Sequence, residues 1–227
     1  MRQFLLASAM VLAAPFIAGK AWATPTLGIT MQSGNDSTFQ SAAFGPSGGS
    51  RSFESMTVGN FTANNIGTQL YAPSYIDLAT FDLSSKKGGT LTITVTGTGF
   101  TTPVGASSWL TQFTGNVTNV GNSSATVSAK SYLDNSNTLR NPGCAVGCTL
   151  LSSVNLGGSG TATAVTDGLF ALTEVITITT TGEGRFSLDA SVGNVSATKV
   201  PEPMSLALLG TGLLGLGVIR RAPRKTA

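Results

Sequence analysis

The chain of 227 residues contains no histidine. That absence removes Ser-His-Asp and Cys-His catalysis, His-liganded zinc and every imidazole general base. It has two cysteines, Cys144 and Cys148, too few to build a four-ligand metal site. Charge is scarce as well: 13 Lys and Arg and 10 Asp and Glu make up 10% of the residues, where an ordinary soluble domain carries about a quarter. The 41% hydrophobic content nevertheless excludes the low-hydrophobicity, high-charge signature of a disordered chain. What fills the space is small and uncharged, since Ser, Thr and Gly together occupy 85 positions.

The formal net charge of +3 resides in the ends. Residues 24–199 hold seven bases and nine acids, so the central region is slightly acidic. This argues against nucleic acid as a partner, because nucleic-acid binding needs a basic surface.

The N-terminus reads MRQFLLASAMVLAAPFIAGKAWA: one basic residue, an apolar run over 4–18 broken by Pro15, then small residues at Ala21 and Ala23. This is the pattern of a secretory signal peptide over 1–23, with cleavage expected between Ala23 and Thr24. The C-terminus reads VPEPMSLALLGTGLLGLGVIRRAPRKTA. Its parts are Val200-Pro201-Glu202-Pro203, an apolar span over 204–219, and the bases Arg220, Arg221, Arg224 and Lys225, which act as a membrane stop signal. Sixteen helical residues would extend roughly 24 Å, short of a ~30 Å hydrocarbon core. The shortfall and the four glycines of the span suit a transient transmembrane helix. The basic tail would stay on the cytoplasmic side, leaving 24–199 outside. The prolines flanking Glu202 hold that stretch extended, as a processing enzyme's cleft requires, and bar a helix from starting before Pro203.

A Pro-Glu-Pro triplet, a Leu/Gly-rich span and a terminal basic cluster in this order resemble the PEP-CTERM sorting signal of Gram-negative bacteria. The resemblance covers residues 200–227, with Ala222-Pro223 interrupting the basic cluster. It implies processing by an exosortase, a membrane-embedded transpeptidase-like enzyme, and transient anchoring in the inner membrane. It also implies a final place at the cell surface or in the extracellular, biofilm matrix. Glu202 would then be a recognition residue of the substrate.

Residues 24–199 show recurrent period-2 alternation and no long helical period, so the reading is all-β. Strands are expected near 52–62, 75–83, 90–97, 109–120, 125–133, 149–156, 161–166, 170–181 and 185–195. Turn signals separate them: Gly121-Asn122, Gly157-Gly158, Asp167-Gly168 and Gly182-Glu183-Gly184. Lys86-Lys87-Gly88-Gly89 is expected to close a hairpin between 75–83 and 90–97. The stretch 24–50, with its GNDS and GPSGGS segments, is expected to be a poorly ordered lead-in or an edge strand. About nine strands of this kind suggest an antiparallel β-sandwich or jelly-roll-like domain.

Candidate chemistry in this region is thin. Cys144 and Cys148 are expected to pair as a local disulfide, as close cysteines do in an exported chain. No Cys-x-x-Cys spacing supports a redox role. Asp134-Asn135-Ser136-Asn137 offers oxygen ligands for calcium but lacks the glycine and terminal Glu of an EF-hand loop, which favours a simple Asx-type turn. Glu54, Glu174 and Glu183 could serve a two-carboxylate glycoside hydrolase or lyase, but nothing pairs them, and they read as solvent-facing or edge-protecting charges. Trp109, Tyr71, Tyr75 and Tyr132 could form an exposed surface that stacks sugars of an exopolysaccharide, or could be core aromatics. The sequence thus predicts no catalytic residue, metal or cofactor. It predicts a non-enzymatic surface protein with a structural or adhesive role, and its alternative is a carbohydrate-binding module.

Overall fold

A computed structural model describes residues 24–71, 73–139 and 147–195. Thirteen strands fill this region: β1 (Thr26–Ser33), β2 (Asp36–Ala43), β3 (Gly48–Phe53), β4 (Met56–Val58), β5 (Phe61–Tyr71), β6 (Tyr75–Ser85), β7 (Gly89–Phe100), β8 (Gly105–Asn119), β9 (Ala125–Asp134), β10 (Cys148–Asn155), β11 (Gly158–Thr166), β12 (Phe170–Thr180) and β13 (Gly184–Asn194). They form two antiparallel sheets. The first has the order β10-β9-β12-β7-β1-β2, and the second β11-β8-β13-β6-β5-β3, with β4 paired to β5. The architecture is all-β and consistent with a β-sandwich.

Alternation explains why the strands bury as they do. In β7, Leu91, Ile93 and Val95 enter the core from alternate positions, because successive side chains of a strand point to opposite faces. The threonines between them line the outer face of the first sheet. There Thr90 meets Thr179 at 3.2 Å and Thr96 meets Thr173 at 3.1 Å, hydroxyl to hydroxyl across β7 and β12. Such pairs stabilise a sheet without charge, which is how a Thr-rich chain builds strands with so few ions. The interior holds Trp109, Phe61, Phe81, Phe113, Phe170 and Phe186, all essentially buried. Trp109 stands edge-on to Phe170, with centroids 5.7 Å apart and planes at 83°, so β8 of one sheet is joined to β12 of the other.

Three expectations are corrected. First, 24–50 is no poorly ordered lead-in; the edge-strand alternative holds for β2 and β3, which end their sheets, but not for β1. The stretch forms β1, β2 and the first half of β3, and β1 lies inside the first sheet between β7 and β2. Leu27, Ile29 and Met31 alternate into the core, and this burial outweighs the Gly/Ser-rich composition around them. Second, the segment 52–62 is three pieces, the end of β3, β4 and the start of β5. Third, 86–89 does not close a hairpin. β6 belongs to the second sheet and β7 to the first, so the chain crosses the core there, as it does again between β12 and β13.

Close backbone approach explains one glycine. Gly48 has a φ of 80°, and a Cβ added there would overlap the Leu70 carbonyl oxygen of the paired strand β5. Gly48→Ala should therefore lose about 2 kcal/mol or more, from left-handed strain plus the clash. A lowered urea midpoint at unchanged slope would show this, and an unchanged midpoint would contradict it.

Candidate functional site

The outward face of the second sheet gathers most of the chemistry. Strand register places its residues in rows that run across β5, β6, β13 and β8. Tyr71 pairs with Tyr75, and Tyr75 with Gly193. In the next row Gln69 pairs with Asp77, Asp77 with Ser191, and Ser191 with Gln112. Further along, Asn65, Asp82, Ser187 and Asn116 form another row, followed by Thr62, Ser84, Arg185 and Thr118. A polar concavity of about 490 Å³ opens over these last rows, with Asp82, Asn116 and Arg185 in its lining.

Of the four aromatics singled out in the sequence, the fold brings two together. The rings of Tyr71 and Tyr75 are stacked, with centroids 6.4 Å apart and planes at 28°. Gly193 explains the pose of Tyr75: a Cβ at Gly193 would lie 2.5 Å from its Cδ2 and 3.3 Å from its Cγ. Only a bare backbone lets the ring lie down over β13. Tyr71 is 38% exposed, and its hydroxyl lies 3.4 Å from Ser50 Oγ. Trp109, by contrast, is fully buried, which makes it a core aromatic and removes it from any sugar-stacking surface. It shares the inward face of β8 with Thr111 and Phe113. Tyr132 lies on β9 of the other sheet, half-buried.

Acids behave differently from the sequence reading too. Glu174 is no solvent-facing or edge-protecting charge. It is fully buried on β12, which runs inside the first sheet, with Leu172 and Ile176 of the core on its own face. Neither of its carboxyl oxygens has a hydrogen-bond partner among the described residues, nor does the hydroxyl of Ser131 directly opposite on β9. Burial, reinforced by the charges of Asp77 and Asp189, pushes its carboxyl well above the usual range, so the neutral acid is the form the core accepts. On the outer face, burial followed by repulsion from Asp189 raises Asp77 to about 6. Burial also raises Asp189. The phenol of Tyr75 is raised chiefly by burial, against the opposing effect of its hydrogen bond with Ser191. One oxygen of Asp77, Oδ1, is buried without a hydrogen bond among the described residues.

The other sequence candidates fall as follows. Asp134 is an Asx-type turn acceptor: its Oδ1 accepts the Ser136 N–H at 2.8 Å and its Oδ2 the Thr138 N–H at 3.2 Å. Asn137, at a φ of 55°, accepts the Gly99 N–H at 2.8 Å. The carboxylate oxygens are thus engaged by the loop itself. Among the described residues no group of three or more His, Cys, Asp or Glu side chains could hold a metal ion. Cys148 opens β10, while Cys144 lies outside the described residues. So do Ala21 and Ala23, Val200, Pro201, Glu202 and Pro203, and Arg220, Arg221, Arg224 and Lys225. Thr24 is described and exposed. No helix among the described residues is long and apolar enough to cross a membrane.

An apolar groove of about 390 Å³ opens near Thr24, between Pro25, Phe44, Leu70 and Phe100. It shares no residue with the Tyr71–Tyr75 face except by adjacency of Leu70 to Tyr71. No known protein family, curated protein or solved structure matches this chain.

Proposed function

We propose that this is an exported bacterial surface protein, sorted by an exosortase and serving a structural or adhesive, non-enzymatic role in the extracellular or biofilm matrix. Residues 1–23 are the signal peptide, 24–199 the exported domain and 200–227 the sorting signal with its transient membrane helix. The observation that carries the reading is the fixed order of parts at the C-terminus: Val200-Pro201-Glu202-Pro203, an apolar span and a basic cluster. The described strands, from β1 at Thr26 to β13 at Asn194, form the exported domain. The exposed Thr24 leaves the expected signal-peptide cut clear of β1. Scarce charge and Thr ladders suit a domain whose work is to persist outside the cell rather than to turn over substrate.

The test is a tag fused after Ala227. In a host with an active exosortase the exported protein should lose the tag, and in a host lacking the enzyme it should keep it. Retention of the tag at full length in both hosts would contradict the sorting reading.

A further inference from the structure

We infer that the outward face of the second sheet binds a neutral glycan, with Tyr71 and Tyr75 as the stacking platform and Gln69 and Asp77 as the hydrogen-bonding groups beside it. The inference rests on the surface-protein reading for its setting and deepens it by naming the partner. A pyranose ring has a flat C–H face and a rim of hydroxyls. The tyrosine pair supplies the matching flat apolar surface, held down on the sheet by the bare backbone of Gly193. One row below, about 7 Å along strands that rise ~3.3 Å per residue, stand the amide of Gln69 and the carboxylate of Asp77. Carboxylate and amide oxygens accept from sugar hydroxyls, and the amide N–H donates to them. An aromatic face with a few convergent polar groups is the recurrent make-up of a small-molecule site.

Charge decides which glycan. Asp77 and Asp189 stand on this half of the face, and Arg185 lies at its far end, in the row of Ser84. Arg51, on the edge strand β3, is placed over the Phe44 ring at 5.7 Å. A uronate-rich or sulfated polymer would meet two unpaired carboxylates, and like charges brought together on binding are penalised. A neutral polymer carries no charge for them to repel. From Tyr71 to Thr62 the polar rows continue along β5 for roughly 30 Å at strand spacing, room for several sugar units of an extended chain.

Affinity electrophoresis of the secreted protein tests this, in native gels containing hydroxyethyl cellulose, dextran or galactomannan, with alginate as the anionic comparison. At least one neutral gel should retard the protein and alginate should not. Tyr71→Ala removes an exposed ring, so its urea midpoint should stay near that of the wild type while retardation drops towards that of a non-binding control. Tyr75→Ala should lose retardation too, with a lowered urea midpoint, because its half-buried ring packs over Gly193 and its hydroxyl bonds Ser191. Migration unretarded in every neutral gel, retardation by alginate equal to that by a neutral glycan, or a Tyr71→Ala protein retarded like the wild type would each overturn the inference. Because purified glycans need no sorting step, failure here leaves the exosortase reading standing, and failure of tag removal leaves this one.

Discussion

Replacing Glu174 with Leu should stabilise the protein, and the gain should grow as pH rises. Glu174 is fully buried, and both its oxygens lack hydrogen-bond partners among the described residues. An uncompensated polar group in an apolar interior costs about 1–3 kcal/mol, and an ionised one costs more. The sign follows from proton linkage. The folded chain holds the Glu174 proton more tightly than the unfolded chain, whose carboxyl has the ordinary value of 4.5. Above that pH the native state binds more protons than the unfolded state, so stability falls with rising pH, by at most about 1.4 kcal/mol per pH unit for one group. Stability is full below about 4.5 and is lost progressively up to the raised native value. Asp77 adds a contribution of the same sign between 3.8 and about 6. Urea midpoints at pH 4, 6 and 8 should therefore decline for the wild type. Glu174→Leu should flatten most of the decline and gain about 2 kcal/mol or more at pH 8. A variant less stable than the wild type at pH 8, or one with a parallel pH profile, would show that the carboxyl is satisfied in the native state.

Trp109→Ala should produce the largest loss. The side chain is the bulkiest buried group of the interior and joins the two sheets through its edge-on contact with Phe170. Phe170 in turn packs against Phe100 at 5.7 Å, so truncation opens a cavity bordered by aromatics that cannot all collapse into it. Large aromatic-to-Ala changes of this kind cost about 3–5 kcal/mol. Trp109→Phe is the informative partner. The indole N–H has no hydrogen-bond partner among the described residues, so Phe gives up volume but no hydrogen bond, and its cost should be roughly half of the Ala cost or less. Thermal or urea unfolding of the two variants measures both values. Equal losses would mean that the indole N–H carries the energy.

Local pattern was a good guide to strands and a poor one to their partners. The expected 170–181 and 185–195 became β12 and β13 with small shifts at their ends, because alternation and the glycines around Glu183 mark where extended chain starts and stops. The same cues say nothing about which sheet receives the next strand, and so 86–89 has the look of a hairpin turn where the chain passes from the second sheet to the first. In β1 the alternation of Leu27, Ile29 and Met31 was visible, but the Gly and Ser that follow it masked it. Glu174 was legible in the same way. Phe170, Leu172, Ile176 and Ile178 set the inward positions of β12, and Glu174 shares their parity. Trp109 likewise shares parity with Phe113. The Tyr71–Tyr75 platform depends on a β5–β6 pairing that the sequence reading did not contain, and its flat pose depends on Gly193, more than a hundred residues away. No one-dimensional spacing joins those three.

The intact mass of the mature protein, recovered from the surface or medium of an exosortase-positive host, tests the central account most directly. The account predicts a chain that begins at Thr24, lacks the apolar span and basic tail over 204–227, and is lighter by two hydrogens for a Cys144–Cys148 disulfide. A mass matching the full chain of 23.0 kDa, or one that keeps residues 204–227 after removal of the signal peptide, would contradict it.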